Sequence, residues 1–367
     1  MMAGDIRASF SGDILILSES LSTPETAQAV QVSQVNGRLR VEGLVSSTGG
    51  QTTINGKPSA DFAIPKSLSI NLGGGSDQVT VRDLSLGGSL AIGTVAKSTT
   101  TVADNDTVNV ARVFTAGNLT INTGAGNDSV NVNVSRIGNG VAGVGNLNIF
   151  TSALHAAGET DRDLVSMGTN IVRGTTHIET GVSADQVHIF DSRLGDAASD
   201  ATEIFTGAGA DSVTFGFIAN DFSLPVFVAG NLDIRTMASL TSTIDQDVDT
   251  VKLTDTTVLE NLFAKLGAGN DKLDLENVTA FKQILLEGQG GNDTMKLVDV
   301  EAGDGFFALL GSGDDLLDIV GLRTNRMSIV GSDGFDRLFK FGVTNIPSTS
   351  VSITGIEQIN GQGLIKR

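Results

Sequence analysis

The chain has 367 residues, with 45 Gly, 5 Pro and no Cys, Trp or Tyr, and its 24 Lys+Arg against 42 Asp+Glu give a net charge of −18. An apolar share of 40% is enough to form a core and excludes wholesale disorder. The charge excludes a phosphate-backbone interface, which is built from Lys and Arg, and the missing Cys excludes disulfides, thiol nucleophiles and thiolate metal sites.

The N-terminal segment 1–60 carries amphipathic β segments at 6–17, 29–35 and 39–45, and is expected to form a β cap. Met1-Met2-Ala3-Gly4 followed by Asp5 is not a secretory signal, so the protein is either cytosolic or exported by a signal outside this sequence. No stretch approaches the ~20 apolar residues of a membrane span.

From residue 61 to 345 one unit recurs: apolar-x-apolar, a glycine-rich turn, Asp, then apolar residues two and four positions later. Clear copies are 70–81 (INLGGGSDQVTV), 121–132 (INTGAGNDSVNV), 204–215 (IFTGAGADSVTF) and 264–275 (AKLGAGNDKLDL). Three more follow at 286–297 (LEGQGGNDTMKL), 308–319 (ALLGSGDDLLDI) and 329–340 (IVGSDGFDRLFK). The aspartates of this column are Asp77, Asp106, Asp128, Asp163, Asp185, Asp211, Asp249, Asp271, Asp293, Asp315 and Asp336, and 22 residues is the basal step. Alternating apolar residues read as strands and the glycine turns as corners. After Asp271 the apolar positions Leu273, Leu275, Val278, Phe281, Ile284 and Leu286 mark three short strands, which is one coil of a parallel β-helix.

One such rung cannot stand alone. Its six apolar side chains supply roughly 9–18 kcal/mol, whereas ordering 22 residues costs on the order of 30 kcal/mol. Rungs must therefore share ladders and core. The sequence predicts an all-β, single-domain, right-handed parallel β-helix of about eleven coils. Residues 346–367 form its C-terminal cap, and the Phe residues are assigned to the core.

Three long intervals, 88–110, 145–167 and 230–253, begin G-x-L-x-I, and each carries a polar loop ending in Asp-x-Asp. The pairs are Asp104/Asp106, Asp161/Asp163 and Asp247/Asp249. Their polar loops are expected to project from a common side and to carry function.

Aspartates stacked at about 4.8 Å repel by roughly 3–4 kcal/mol per pair at an effective dielectric of ~20. Two devices can offset this. One is a cation: Ca²⁺ takes carboxylate and turn-carbonyl oxygens, and its candidate ligands are the three Asp-x-Asp pairs with Asp128, Asp271, Asp293 and Asp315. The other is structural, the carboxylate accepting turn amides with no metal at all.

The runs Gly288-Gln289-Gly290-Gly291-Asn292-Asp293 and Gly267-Ala268-Gly269-Asn270-Asp271 resemble the glycine- and aspartate-rich repeats of RTX-type exported bacterial proteins. That resemblance implies secretion, a parallel β-roll and calcium held between turns. The RTX repeats are tandem nonapeptides, two per coil, whereas each 22-residue rung here has one glycine turn. Over residues 68–360 the pattern looks more like the right-handed β-helix repeats of large bacterial surface proteins. Gly355-Ile356-Glu357-Gln358-Ile359 is similar to the segment that often ends such arrays.

An enzyme reading has candidates in Asp314/Asp315, in Asp274 and Asp318 flanking Lys296, and in the basic group Arg323, Arg326, Arg337 and Lys340. Adjacent residues on a strand point to opposite faces, so Asp314/Asp315 lacks glycosidase geometry. The stacking platforms that Trp and Tyr provide for sugars are missing. His155, His177 and His188 read as isolated residues rather than metal ligands. The sequence therefore points to a non-catalytic, exported surface or adhesion-type structural protein at the cell surface or outside the cell. Its expected partner is a surface protein or glycan, and self-association through ends or faces is expected. The alternative is a carbohydrate-active β-helix enzyme, a polysaccharide lyase or hydrolase, whose mark would be a groove where Asp and Arg converge.

Overall fold

The computed structural model describes residues 2–19, 26–95, 104–140, 144–152, 161–216, 218–219, 222–237, 247–344 and 350–361, and their regular structure is all β-strand. Most of the loop stretches that precede the Asp-x-Asp pairs, at 96–103, 153–160 and 238–246, and also His155, lie outside the described residues. No helix among the described residues is long and apolar enough to cross a membrane. The chain divides into two compact units, Met1–Gly181 and Val182–Arg367.

The first unit opens with antiparallel pairs. Met2–Ser11 folds on Ile14–Glu19, and Arg38–Gly43 lies between Ala29–Val35 and Ser59–Phe62. The turn at Asn36-Gly37 has both residues at positive φ, 51° and 74°, the backbone that a two-residue hairpin requires and that Asn-Gly adopts at least cost. Parallel pairing begins inside this segment: Ile14–Glu19 runs beside Ser67–Asn71 and Ala29–Val35 beside Gln78–Leu86.

Two parallel ladders follow. One carries Ser67–Asn71, Leu90–Gly93, Leu119–Asn122, Leu147–Phe150 and Thr176–Glu179. The other carries Gln78–Leu86 and Thr107–Thr115, then Ser129–Asn133 with Arg136–Ile137, and Leu164–Gly168 with Ile171–Val172. Equivalent residues stack in register. Val79, Val108, Val130 and Val165 form one interior column, each fully buried. The strands of the second ladder bend at Asp83, Arg112, Val134 and Thr169, where φ is 51–57°. This left-handed residue turns one extended run into two faces, so each repeat has three strand segments.

The second unit repeats the plan. Thr202–Phe205, Leu232–Arg235, Leu262–Ala268, Gln283–Gly290, Gly305–Gly311, Met327–Gly331 and Val351–Thr354 form one parallel ladder. Gln186–Phe190, Ser212–Phe215, Thr250–Val258, Lys272–Ala280, Thr294–Ala302, Leu316–Thr324, Arg337–Phe341 and Gln358–Gly361 form the other. Parallel repeats with stacked interior columns are the architecture of a β-solenoid. Val351–Thr354 and Gln358–Gly361, within the segment assigned to the C-terminal cap, pair in parallel with Met327–Gly331 and Arg337–Phe341.

The core is aliphatic, which corrects the assignment of the Phe residues to it. Among the described Phe only Phe215 and Phe306 are buried, and Phe281 is 59% exposed, its inward place in the rung taken by Ala280. A ring at an outward position instead lies across the surface, where arginine can cover it: Arg136 over Phe114, Arg193 over Phe227 and Arg235 over Phe205.

Candidate functional site

The aspartate column is a hydrogen-bonded ladder. In the second unit the amide of Asp185 donates to Oδ1 of Asp211, and the same bond recurs from Asp211 to Asp249, Asp249 to Asp271, Asp271 to Asp293, Asp293 to Asp315 and Asp315 to Asp336, at 2.8–3.1 Å. The amide of Asp336 ends the run on Oε2 of Glu357. In the first unit Gln28 donates to Asp77, Asp77 to Asp106, Asp106 to Asp128 and Asp128 to Asp163, at 2.7–2.8 Å.

Each step is closed by a second bond. The carbonyl of Asp271 accepts the amide of Thr294, and that of Asp293 the amide of Leu316. Asp is the residue that fits, because its short side chain brings a carboxylate back to the strand-entry amide of the adjacent rung. Glu357, one methylene longer, serves only at the last described step.

The ladder is buried. Asp77, Asp315 and Asp336 have no exposed surface, and the other members expose 3% or less. Burial acts first and the neighbouring carboxylates second in pushing Asp77 up to about 10 and Asp293 to about 8, against which the donated amide pulls down. Burial likewise takes Asp249 to about 9, Asp106 to about 8, Asp128 to about 7 and Asp315 to about 6. Oδ2 of Asp77, Asp293 and Asp315 is buried with no hydrogen-bond partner. A carboxyl that keeps its proton at neutral pH removes most of the like-charge repulsion the stacking would create. The sequence offered a cation or turn amides as the remedy; the geometry supplies amides of the adjacent rung, and burial pushes the carboxyls toward their protonated form.

The Asp-x-Asp pairs belong to the same framework. Asp106, Asp163 and Asp249 are ladder members. Asp104 Oδ2 accepts the amide of Gly75 at 2.6 Å, and Asp161 Oδ2 that of Gly126 at 3.1 Å. Of these six carboxylates only Asp247 is exposed, which corrects the expectation that the pairs sit on exposed loops. Short rungs have Gly at the position of Asp104, and Gly291 shows why. Its φ is 110°, and a Cβ there would lie 1.6 Å from the carbonyl oxygen of Gly269 in the adjacent rung.

The column carboxylates proposed for calcium each have one oxygen already engaged. Oδ1 of Asp128, Asp271, Asp293 and Asp315 is already held by a backbone amide. Turn carbonyls such as those of Gly290 and Ser312 accept amides of Gly269 and Gly291. Among the described residues no group of three or more His, Asp and Glu is placed to hold a metal ion.

A parallel outer ladder, missed in the sequence, uses the residue before each aspartate. Asn292 donates its amide to Asn270 Oδ1, Asp314 to Asn292 Oδ1 and Phe335 to Asp314 Oδ1. The Asn-Asp dipeptide at 127–128, 270–271 and 292–293 was its signal. Asp314 and Asp315 thus belong to two structural ladders and form no acid pair. Asp274, Lys296 and Asp318 are register neighbours on an outward face. His177 lies 3.6 Å from Glu179 and stacks near Phe150, while burial lowers the pKa of His188. Compared with known protein families, characterised proteins and solved structures, the chain matches none.

Proposed function

We propose that this protein is a non-catalytic structural module of an exported bacterial surface or adhesion-type protein, folded as a right-handed parallel β-helix of about eleven coils. The observation that carries the reading is the ladder. Its aspartates, the most conspicuous chemical feature of the sequence, are buried and give Oδ1 to backbone amides of adjacent rungs. Side chains so used cannot reach a substrate, and they give the chain rigidity without disulfides. On this reading the amide bonds, rather than calcium, hold the rungs. The partner is a surface protein or glycan, and the end strands offer edges for self-association. Antibody labelling of intact cells of the source organism, with fractionation of its culture medium, tests the placement. Surface or medium staining is expected, and a purely cytosolic pool overturns it.

A further inference from the structure

The left-handed bends of the second unit form a column of their own: Asp255, Asn277, Asp299, Gly321 and Gly342, with φ between 47° and 81°. In its first part the column is filled, since the Asn277 side-chain Nδ2 donates to Asp255 Oδ1. It then changes to glycine. A Cβ on Gly321 would come within 2.6 Å of Asp299 Oδ1, so the Asp299 carboxylate lies over a bare backbone. Two residues further along each strand a second outward column runs parallel to the first: Thr279, Glu301, Arg323 and Thr344. Between the two columns Val300 and Leu322 are buried and form the floor. The missing side chains at 321 and 342 open a trough of about 480 Å³ lined by both columns, within the range of small-molecule sites.

The chemistry of the walls selects a ligand class. Asp299 is an exposed acceptor, and Glu301 pairs with Arg323 at 3.5 Å while both keep solvent access. Asn277, Thr279 and Thr344 add neutral donors and acceptors. Two carboxylates against one guanidinium repel an anion, and two carboxylates, one already paired, are too few for a cation. An apolar ligand would find only the edges of Val300 and Leu322. A molecule with adjacent hydroxyls, each donor and acceptor at once, matches acceptors and donors alternating along the trough.

We propose that this trough binds a neutral saccharide, with Asp299 and the Glu301–Arg323 pair taking its hydroxyls. The site stands apart from the ladder and does not rest on the scaffold reading. The test is saturation-transfer NMR on the full chain with cellotetraose and maltotetraose as neutral probes and tetragalacturonate as the anionic control. Transfer from a neutral probe is expected. It should weaken on the order of tenfold in Asp299→Ala and likewise in Gly321→Asn, which fills the trough with a residue that tolerates a left-handed backbone. Circular dichroism checks that both variants remain folded. No transfer from either neutral probe, preferred binding of tetragalacturonate, or full binding in a folded Gly321→Asn variant overturns the site. New reducing ends released from a bound probe would uphold the trough and overturn the non-catalytic reading instead.

Discussion

The amide of Asp271 donates to the side chain of Asp293, 22 residues on and 2.9 Å away, while the carbonyl of Asp271 accepts the amide of Thr294. A side chain therefore completes a backbone ladder at the point where the strand begins. Removing it strands an amide in the interior.

Asp293→Ala should accordingly destabilise the protein by about 1–3 kcal/mol, the cost of a buried donor left unpaired. Asp293→Asn keeps an acceptor oxygen in the same place and should cost less. Denaturant unfolding of the two variants decides it. Equal losses would show that the hydrogen bond is not what matters.

The same bond at the exposed end should count for little. Glu357 is exposed, so in Glu357→Ala water can replace its Oε2 at the Asp336 amide, and the change should stay within about 0.5 kcal/mol. A loss equal to that of Asp293→Ala would mean that the last described rung holds the others.

Stability should fall as pH rises. Between the ordinary carboxylate range near 4 and the folded values of Asp315, Asp128, Asp293, Asp106, Asp249 and Asp77, from about 6 to about 10, the folded chain holds protons that the unfolded chain has released. Each group then lowers stability with rising pH until its own folded value is reached. The stabilisation is fully present below pH ~4 and is lost as pH climbs through those values. Thermal midpoints should thus be higher at pH 5 than at pH 9, with Asp293→Asn shallowing the slope. A midpoint that rises over this interval would show that the ladder is ionised.

Calcium should not alter the midpoint selectively. Unfolding curves taken after chelation, and again with Ca²⁺ or Mg²⁺ restored at one ionic strength, are expected to agree, because the carboxylates already have amide partners. A rise with Ca²⁺ alone would require a binding site that the described residues do not form.

Glycines divide into two kinds. At Gly37, on a hairpin tip with open space around it, Ala should cost about 1 kcal/mol for its positive φ. At Gly291 the methyl group would meet the Gly269 carbonyl, so Ala should cost several times as much. Comparable midpoints for the two variants would contradict the close stacking of the turns.

Much of this was legible in the sequence because the rung is periodic. The apolar alternation around Asp271 announced Leu273, Leu275 and Val278 as interior, and all three are buried. The bend that follows was not legible. Asn277 adopts a left-handed conformation there, after which Val278 and Ala280 face in, and Phe281, read as interior from its apolar character, faces out. The aspartates announced a column but not its partners, since a hydrogen bond to a rung 21 to 38 residues away leaves no local trace. The trough was hidden for the same reason: Asp299, Gly321 and Arg323 become neighbours only when the rungs stack.

The ladder bond is indifferent to the length of chain between its partners. Its members are separated by as few as 21 residues and as many as 38, yet the contact stays between 2.7 and 3.1 Å. Lengthening an interval from 22 to 38 residues adds only about 0.5 kcal/mol of closure entropy. Only the arrival of an aspartate at the strand entry is inspected, and the excursion before it escapes scrutiny. Intervals of unequal length are thus met by one and the same bond, and an insertion between two of its aspartates is expected to leave that bond in place.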